Sequence, residues 1–360
     1  VGDCESFFIY SHDDFLSHVQ RSCETTTKTP APFDTVIQNG WTERMEKGLF
    51  RYKLNDLQTC VLPGNYGYVA QLNIQRGIER RKPQEILSIQ QEFNDKQFNF
   101  NKINPEEIIC EMTKCVNSRD VLNAPTSKMT VLVNVSPLEF GHCLFVPDPL
   151  QCYPQVLTKF AIAVGIESVF LSSDPGFRVG FNSLGAFASV NHLHLHGYYL
   201  DHELALESIA VEPLVPEKDF HRLINYHVGF VFYTEAKSVD KVAENICRVT
   251  DFLVKQNIAH NLFLSRGCPP HVHKPREMEN SSRKGVRIFV WPRKSCFGAK
   301  EESALNVALC ELAGHLPFKN KTDFEKATEE GVTEIINKYL LPKDEFFNLE
   351  QQLIQHLGKS

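Results

Sequence analysis

His192-Leu193-His194-Leu195-His196-Gly197-Tyr198-Tyr199 sets three histidines at alternate positions with leucines between them. Successive side chains of a β-strand point to opposite faces, so the spacing predicts three imidazoles on one face and two leucines packed on the other. A core strand built this way needs a hydrogen-bond partner for every buried ring. Three readings compete: a polar strand by accident, a metal site of three imidazoles as in some zinc enzymes, or one nucleophilic histidine held by two supports. Imidazole chemistry favours the third. With an ordinary pKa of about 6.5 the ring is neutral near neutral pH, and its neighbours can fix the tautomer and aim the free nitrogen. The expected chemistry is phosphoryl or nucleotidyl transfer through a covalent histidine, with neither a metal nor a cofactor.

The flanks support this. The lead-in from Phe181 and Asn182 through Gly185 and Ser189 to Asn191 is small and polar, which suits a loop that lets an anionic group approach the backbone. Asn182 and Ser189 are also ordinary turn and small strand residues. Upstream, Asn134 to Pro147 reads as strand, turn at Ser136-Pro137, and a second strand carrying Gly141-His142. His142 either faces the site or is a satisfied core histidine. Between the blocks, Val156, Leu157, Phe160, Ala161 and Val164 share the apolar face of a helix.

His192-Leu193-His194-Leu195-His196, its Gly/Ser-containing lead-in and the Gly141-His142 step resemble the histidine triad (HIT) superfamily. The block from Asn182 to Tyr199, the Gly141-His142 strand and Phe98-Asn99-Phe100-Asn101-Lys102-Ile103 are most similar to its GDP-sugar phosphorylases, over residues 45 to 320. The resemblance implies an α+β fold of HIT-like antiparallel sheets with helices. It also implies GDP-D-glucose and inorganic phosphate as substrates. His194 would attack the α-phosphorus, expel sugar 1-phosphate and become guanylylated; phosphate would then release GDP. By the same resemblance the carbonyl of His192 would hold the far nitrogen of His194, His196 and Ser189 would contact phosphate oxygens, and Asn182 would sit nearby. The motif ends in His196, as in the hydrolase branch, where the uridylyltransferases have Gln. A hydrolase releasing nucleoside monophosphate is therefore the alternative, and a nucleotide- or zinc-binding module without turnover is the alternative of another class.

Composition bounds the partners. The 360 residues are 42% hydrophobic and 23% charged, as in a globular protein, and the formal net charge of −6 argues against a nucleic-acid binder. No run of about 18 apolar residues exists to span a membrane, and the first residues show neither a basic start nor an apolar run. The eleven cysteines lack framework spacing and any Cys-x-x-Cys pair, which predicts free thiols and the cytoplasm. A two-unit chain can satisfy HIT-type pairing internally, so monomer and homodimer are equally expected.

Four regions are expected: 1–45 irregular, with a connector at Thr25 to Pro32; 46–205 the catalytic unit; 206–320 a degenerate second HIT-like unit; and 321–360 helical. In the second unit, His227 to Tyr233, Asn261 to Leu264 and Val286 to Trp291 read as strands, and Val239, Val242, Ile246, Val249 and Leu253 as one helix face after an N-cap at Ser238. No triad recurs there, so this unit would close the first site instead of carrying one. Phe98 to Ile103 and Ile108 to Met112 read as strands, and 301–316 as helix. Arg76, Arg80, Arg81 and Lys82 would grip phosphate or form a solvated face. Arg266 and Arg293 would reach the nucleotide or lie on the surface, and Cys268 to His273 holds metal-ligand types in a Pro-rich loop without making a metal site.

Overall fold

Pairing of β-strands joins the two halves of the chain into one sheet. The computed structural model describes residues 6–20, 29–79, 84–115, 127–270, 283–297 and 304–359. In chain order its elements begin with β1 (Phe7–Tyr10), α1 (Pro32–Glu46), β2 (Gln58–Val61), β3 (Val69–Leu72), α2 (Ile74–Glu79) and β4 (Ile108–Lys114). β5 (Met129–Val133), β6 (Cys143–Pro147), α3 (Lys159–Leu171), β7 (Phe177–Asn182) and β8 (Leu195–Tyr199) complete the first half. The second half has β9 (Val211–Val215), β10 (Phe220–Leu223), β11 (Phe230–Thr234), α4 (Val239–Lys255), β12 (Ala259–Gly267) and β13 (Gly285–Arg293). There follow α5 (Leu309–Leu312), β14 (His315–Phe318), α6 (Lys321–Glu325), α7 (Glu329–Asn337) and α8 (Lys343–Gly358).

The main sheet has the order β1-β4-β5-β6-β8-β7-β12-β13-β11-β10-β9. Read outward from the central β7·β12 pair, and apart from the extra edge strand β1 of the first half, each half has the same construction: three strands, a helix, then two strands, with the last strand inserted between the third and fourth. The fold is the expected α+β class, and the repeated order makes the tandem arrangement visible. β7 and β12 pair antiparallel from Asn182↔Asn261 to Val179↔Leu264.

The two faces of the sheet are covered differently. Leu195, Phe145, Phe181, Ile288 and Val290 belong to one buried cluster with Ile37, Val164, Val249 and Phe346 of α1, α3, α4 and α8. Tyr198, Phe263, Phe289 and Trp291 belong to another with Tyr68, Leu312, Leu316 and Ile336, contributed by β14-β3-β2 and the helices around it. α3 is buried on nearly all sides because it lies between the sheet and α4, while α4 buries only the stripe from Val239 to Leu253 read from its spacing.

Several local expectations are corrected. The stretch 1–45 is not irregular where it is described: β1 pairs in parallel with β4, and α1 buries Phe33, Ile37 and Trp41. Pro32 starts that helix, since a proline in its first turn removes no intrahelical bond. Asp34 of α1 accepts hydrogen bonds from Ser172 Oγ at 2.6 Å, Ser173 N–H at 2.7 Å and Tyr199 Oη at 2.9 Å, tying the helix to β8. Phe98 to Ile103 forms a single 3-10 turn instead of a strand, because the Asn99 side chain accepts from Asn101 N–H and closes the chain locally. The segment 301–316, where described, contains only the short α5 and the start of β14. Residues 25–28 of the connector, Arg80, Arg81 and Lys82, and the His271 and His273 end of the Cys268 run lie outside the described residues.

Candidate active site

The triad straddles the beginning of β8. Only His196 lies within the strand; His192 and His194 occupy its lead-in, yet the alternation persists. Leu193 and Leu195 enter the helix-side core while His194 and His196 line a cavity on the opposite face.

His194 is held from three directions. Its Nδ1 lies 2.7 Å from the carbonyl oxygen of His192. A carbonyl only accepts, so Nδ1 carries the proton and Nε2 the lone pair. The backbone N–H of His194 donates to Gln155 Oε1 at 2.9 Å, and Gln155 Nε2 donates to the carbonyls of His194 at 3.2 Å and Asn182 at 2.9 Å. Gln155 therefore clamps the two peptide units that flank the Cα of His194 and ties them to the end of β7. Phe100 packs edge-on against the His194 ring at 5.1 Å, and its N–H donates to His192 Nδ1 at 3.1 Å. Burial pushes the pKa of His194 down to about 4, partly offset by the His192 carbonyl, so the ring is neutral across the physiological range.

His196 belongs to a second chain of contacts. Leu138 N–H donates to His142 Nδ1 at 2.8 Å, which leaves the proton of the neutral ring on Nε2. That nitrogen lies 3.0 Å from His196 Nδ1 and donates to it, so His196 carries its own proton on Nε2. Burial, with charge from neighbours including Arg76, holds both rings well below the ordinary histidine range, consistent with the neutral forms this relay needs. The site thus pairs a nitrogen with a free lone pair on His194 with an N–H donor on His196, the two rings 5.1 Å apart.

The other residues singled out from the sequence divide. Asn182, Ser189, Arg76 and His142 line the cavity with His194 and His196. His192, Gly185 and Asn191 do not. Gly185 takes a turn conformation with φ +74°, and its carbonyl accepts Cys296 N–H at 2.8 Å. Asn191 is a brace: Oδ1 accepts Gln155 N–H at 2.9 Å, and Nδ2 donates to the carbonyls of Gln91 and Glu92. Asn182 Oδ1 is already engaged by Asn261 Nδ2 at 2.7 Å and Leu309 N–H at 3.0 Å, so it joins β7, β12 and α5. Arg266 and Arg293 are neither on the surface nor on the cavity wall; each is 1% exposed. Arg266 stacks on Phe170 and donates to the carbonyl of Leu16. Arg293 lies between the rings of Phe187 and Tyr339 and donates to the carbonyl of Val307, holding the loop before α5.

Sequence reasoning missed part of the wall. Asn306, Glu311, Lys319 and the segment around Ala308 come from the C-terminal end of the region expected as the second unit, far from any motif. Gln155 sits in a loop with no motif of its own. Phe98 and Phe100 were present in the resemblance, but as strand residues.

Residues 32–198 match the GDPGP1-like N-terminal domain, and residues 206–360 the GDPGP1-like C-terminal domain. GDP-D-glucose phosphorylase 1 of Danio rerio is 56% identical over 357 residues, covering 99% of this chain and 100% of the relative. The Homo sapiens protein of that name is 47% identical, covering 96% and 91%. GDP-L-galactose phosphorylase 2 of Arabidopsis thaliana is 28% identical, covering 95% and 81%. Among solved structures, yeast Ap4A phosphorylase Apa2 in complex with Ap4A superposes with a TM-score of 0.58 at 13% identity, covering 87% of this chain and 98% of that one, a likeness of fold. The histidine triad reading of the sequence is thereby borne out, and with both domains matched from residue 32 to the last, the chain belongs to the GDPGP1-like family.

Proposed function

We propose that the chain catalyses the phosphorolysis of GDP-D-glucose, yielding GDP and glucose 1-phosphate through a guanylylated His194. One observation carries the mechanism: the 2.7 Å contact between His194 Nδ1 and the His192 carbonyl leaves Nε2 with its lone pair on a ring that lines the cavity. Nε2 bonds to the α-phosphorus as the bond to the bridging oxygen breaks, and the electron pair leaves with glucose 1-phosphate. A phosphate oxygen then attacks the same phosphorus, and the electron pair of the N–P bond returns to Nε2. The His192 carbonyl stabilises the positive imidazole of the intermediate, and His196 Nε2–H donates to a phosphoryl oxygen. Guanine and glucose are supported by the fish and human relatives, which are GDP-D-glucose phosphorylases by name. The free thiols of the nine described cysteines suit the reducing cytosol, where we place the protein.

The test is to incubate the protein with GDP-D-glucose, with and without inorganic phosphate, and identify the nucleotide released. GDP formed only with phosphate is the expected result. GMP in both arms would replace this reading with hydrolysis.

A further inference from the structure

The triad stands between two unlike walls of the cavity. On one side, β5 and β6 bring Leu132 and Leu144, which share a buried cluster with Phe100 and Val190. On the other, α5 packs over β7: Leu309 N–H donates to Asn182 Oδ1 at 3.0 Å, and a Cβ on Gly180 would lie 2.8 Å from the Leu309 side chain. This second wall carries Glu311, a buried carboxyl that accepts Ala308 N–H at 2.9 Å and Cys310 Sγ–H at 3.1 Å. Both bonds fall on Oε2, and no other residue donates to Oε1 among the described residues. Tyr198, also on the wall, has the polarity of its hydroxyl fixed from a distance. Glu139 accepts from Phe140 N–H at 2.8 Å and from Gln71 Nε2 at 2.6 Å, which turns Gln71 Oε1 toward His315 Nε2 at 2.5 Å. His315 thus carries its proton on Nε2, and its Nδ1 accepts from Tyr198 Oη at 3.2 Å. Burial, and then neighbouring acids including Cys310 and Glu311, holds the Tyr198 hydroxyl well above the ordinary tyrosine range, so its proton stays with His315.

Lone pairs on Glu311 Oε1 and Tyr198 Oη are therefore left for a ligand. A carboxyl on the wall of a site for a diphosphate repels the charged part of its substrate, so it calls for a neutral group rich in hydrogens to donate. The apolar wall across the triad suits a planar base instead. We propose that Glu311 and Tyr198 form the acceptor pair that receives the hydroxyl groups of the hexose, with the base on the opposite side of the triad. The assignment rests on the reading of GDP-D-glucose as the substrate. His315 acts as a positioning residue: by taking the Tyr198 proton it turns that hydroxyl into an acceptor toward the sugar.

The experiment compares the affinity for GDP-D-glucose with that for GDP, which has the base and both phosphates but no hexose. Calorimetry is done in a His194→Ala background, so that no substrate is consumed, with and without Glu311→Gln or Tyr198→Phe. Glutamine keeps an oxygen for Ala308 N–H and replaces the other with an amide donor. Glu311→Gln should raise Kd for GDP-D-glucose at least about tenfold and leave Kd for GDP within about twofold; Tyr198→Phe should act in the same direction by about three- to fivefold. Among nucleotides that lack one glucose hydroxyl at a time, at least one should bind the Glu311→Gln protein as well as it binds the parent, because the group that Glu311 receives is already gone. Equal weakening of GDP and GDP-D-glucose would show that the pair reads the nucleoside and would overturn the assignment, as would unchanged affinity for both. If Glu311→Gln does not fold, Tyr198→Phe decides by the same comparison, and no selective loss there overturns it too. A parent that binds GDP but gains nothing from the hexose instead overturns GDP-D-glucose as the substrate.

Discussion

β8 and β13 occupy equivalent places in the two halves, each inserted between the third and fourth strands of its unit, and they differ in what they present to the same face of the sheet. On β8 and its lead-in that face carries His194, His196 and Tyr198, and a cavity remains above them. On β13 it carries Arg287, Phe289 and Trp291, of which the two aromatic rings stack at 5.6 Å inside the core. Arg287 is fully buried and spends its donors on the carbonyls of Cys268, Leu206 and Ile209. One framework thus supports two outcomes. Imidazoles, whose hydrogen bonds leave one nitrogen over, keep a reactive surface; large apolar rings with an arginine directed at backbone carbonyls fill the same space and end the chemistry.

The strongest way to break this contrast is to exchange the roles. His194→Ala should lower turnover by about a thousandfold or more with little loss of stability, since an absent nucleophile is not replaced by binding contacts. Arg287→Ala should do the reverse. It leaves three carbonyls, two of them fully buried, without their donor and should cost about 3 kcal/mol or more of stability, read from denaturant unfolding, with KM near wild type for the folded fraction. Equal effects on both quantities from either variant would end the division of labour. A smaller effect sharpens the first half of the comparison: Gln155→Ala frees the peptide plane of His194 and should lower kcat about 10- to 100-fold with KM for GDP-D-glucose little changed. The smallest is a non-effect. Because burial takes His194 down to about 4, kcat/KM for GDP-D-glucose should stay flat from pH 8 to about 5.5 and fall only toward 4; a limb near 6.5 would show a solvated ring. The same lowered value makes stability decline as pH falls from about 6.5 to 4, since the unfolded chain takes up protons that the folded one refuses, so activity recovered at neutral pH separates the two effects.

What the sequence disclosed was local and periodic. The triad spacing placed His194 and His196 on one face, and the stripe from Val239 to Leu253 became α4 as read. β9 and β10 escaped notice because Glu212, Pro213 and Arg222 interrupt the apolar alternation, and α1 was obscured by a Pro-Ala-Pro start that resembles a linker. The site was legible where residues adjacent in sequence act together. It was illegible where packing alone makes neighbours, as with Gln155 beneath His194 or Lys319 against Gly77. Arg293 shows the opposite error: a charge at a strand end reads as a ligand contact or a surface residue, whereas two aromatic rings and a carbonyl hold it inside.

The antiparallel seam of β7 and β12 also has a kinetic meaning. Both strands belong to one polypeptide, so forming the seam, and with it the Asn182–Asn261 contact that reaches α5, is a first-order event whose entropic cost is set by the length of chain between them. The strand that carries the triad and the segment that completes its wall are never separated by dilution. The cavity therefore has an effective concentration of its second half built into the chain, independent of how much protein surrounds it.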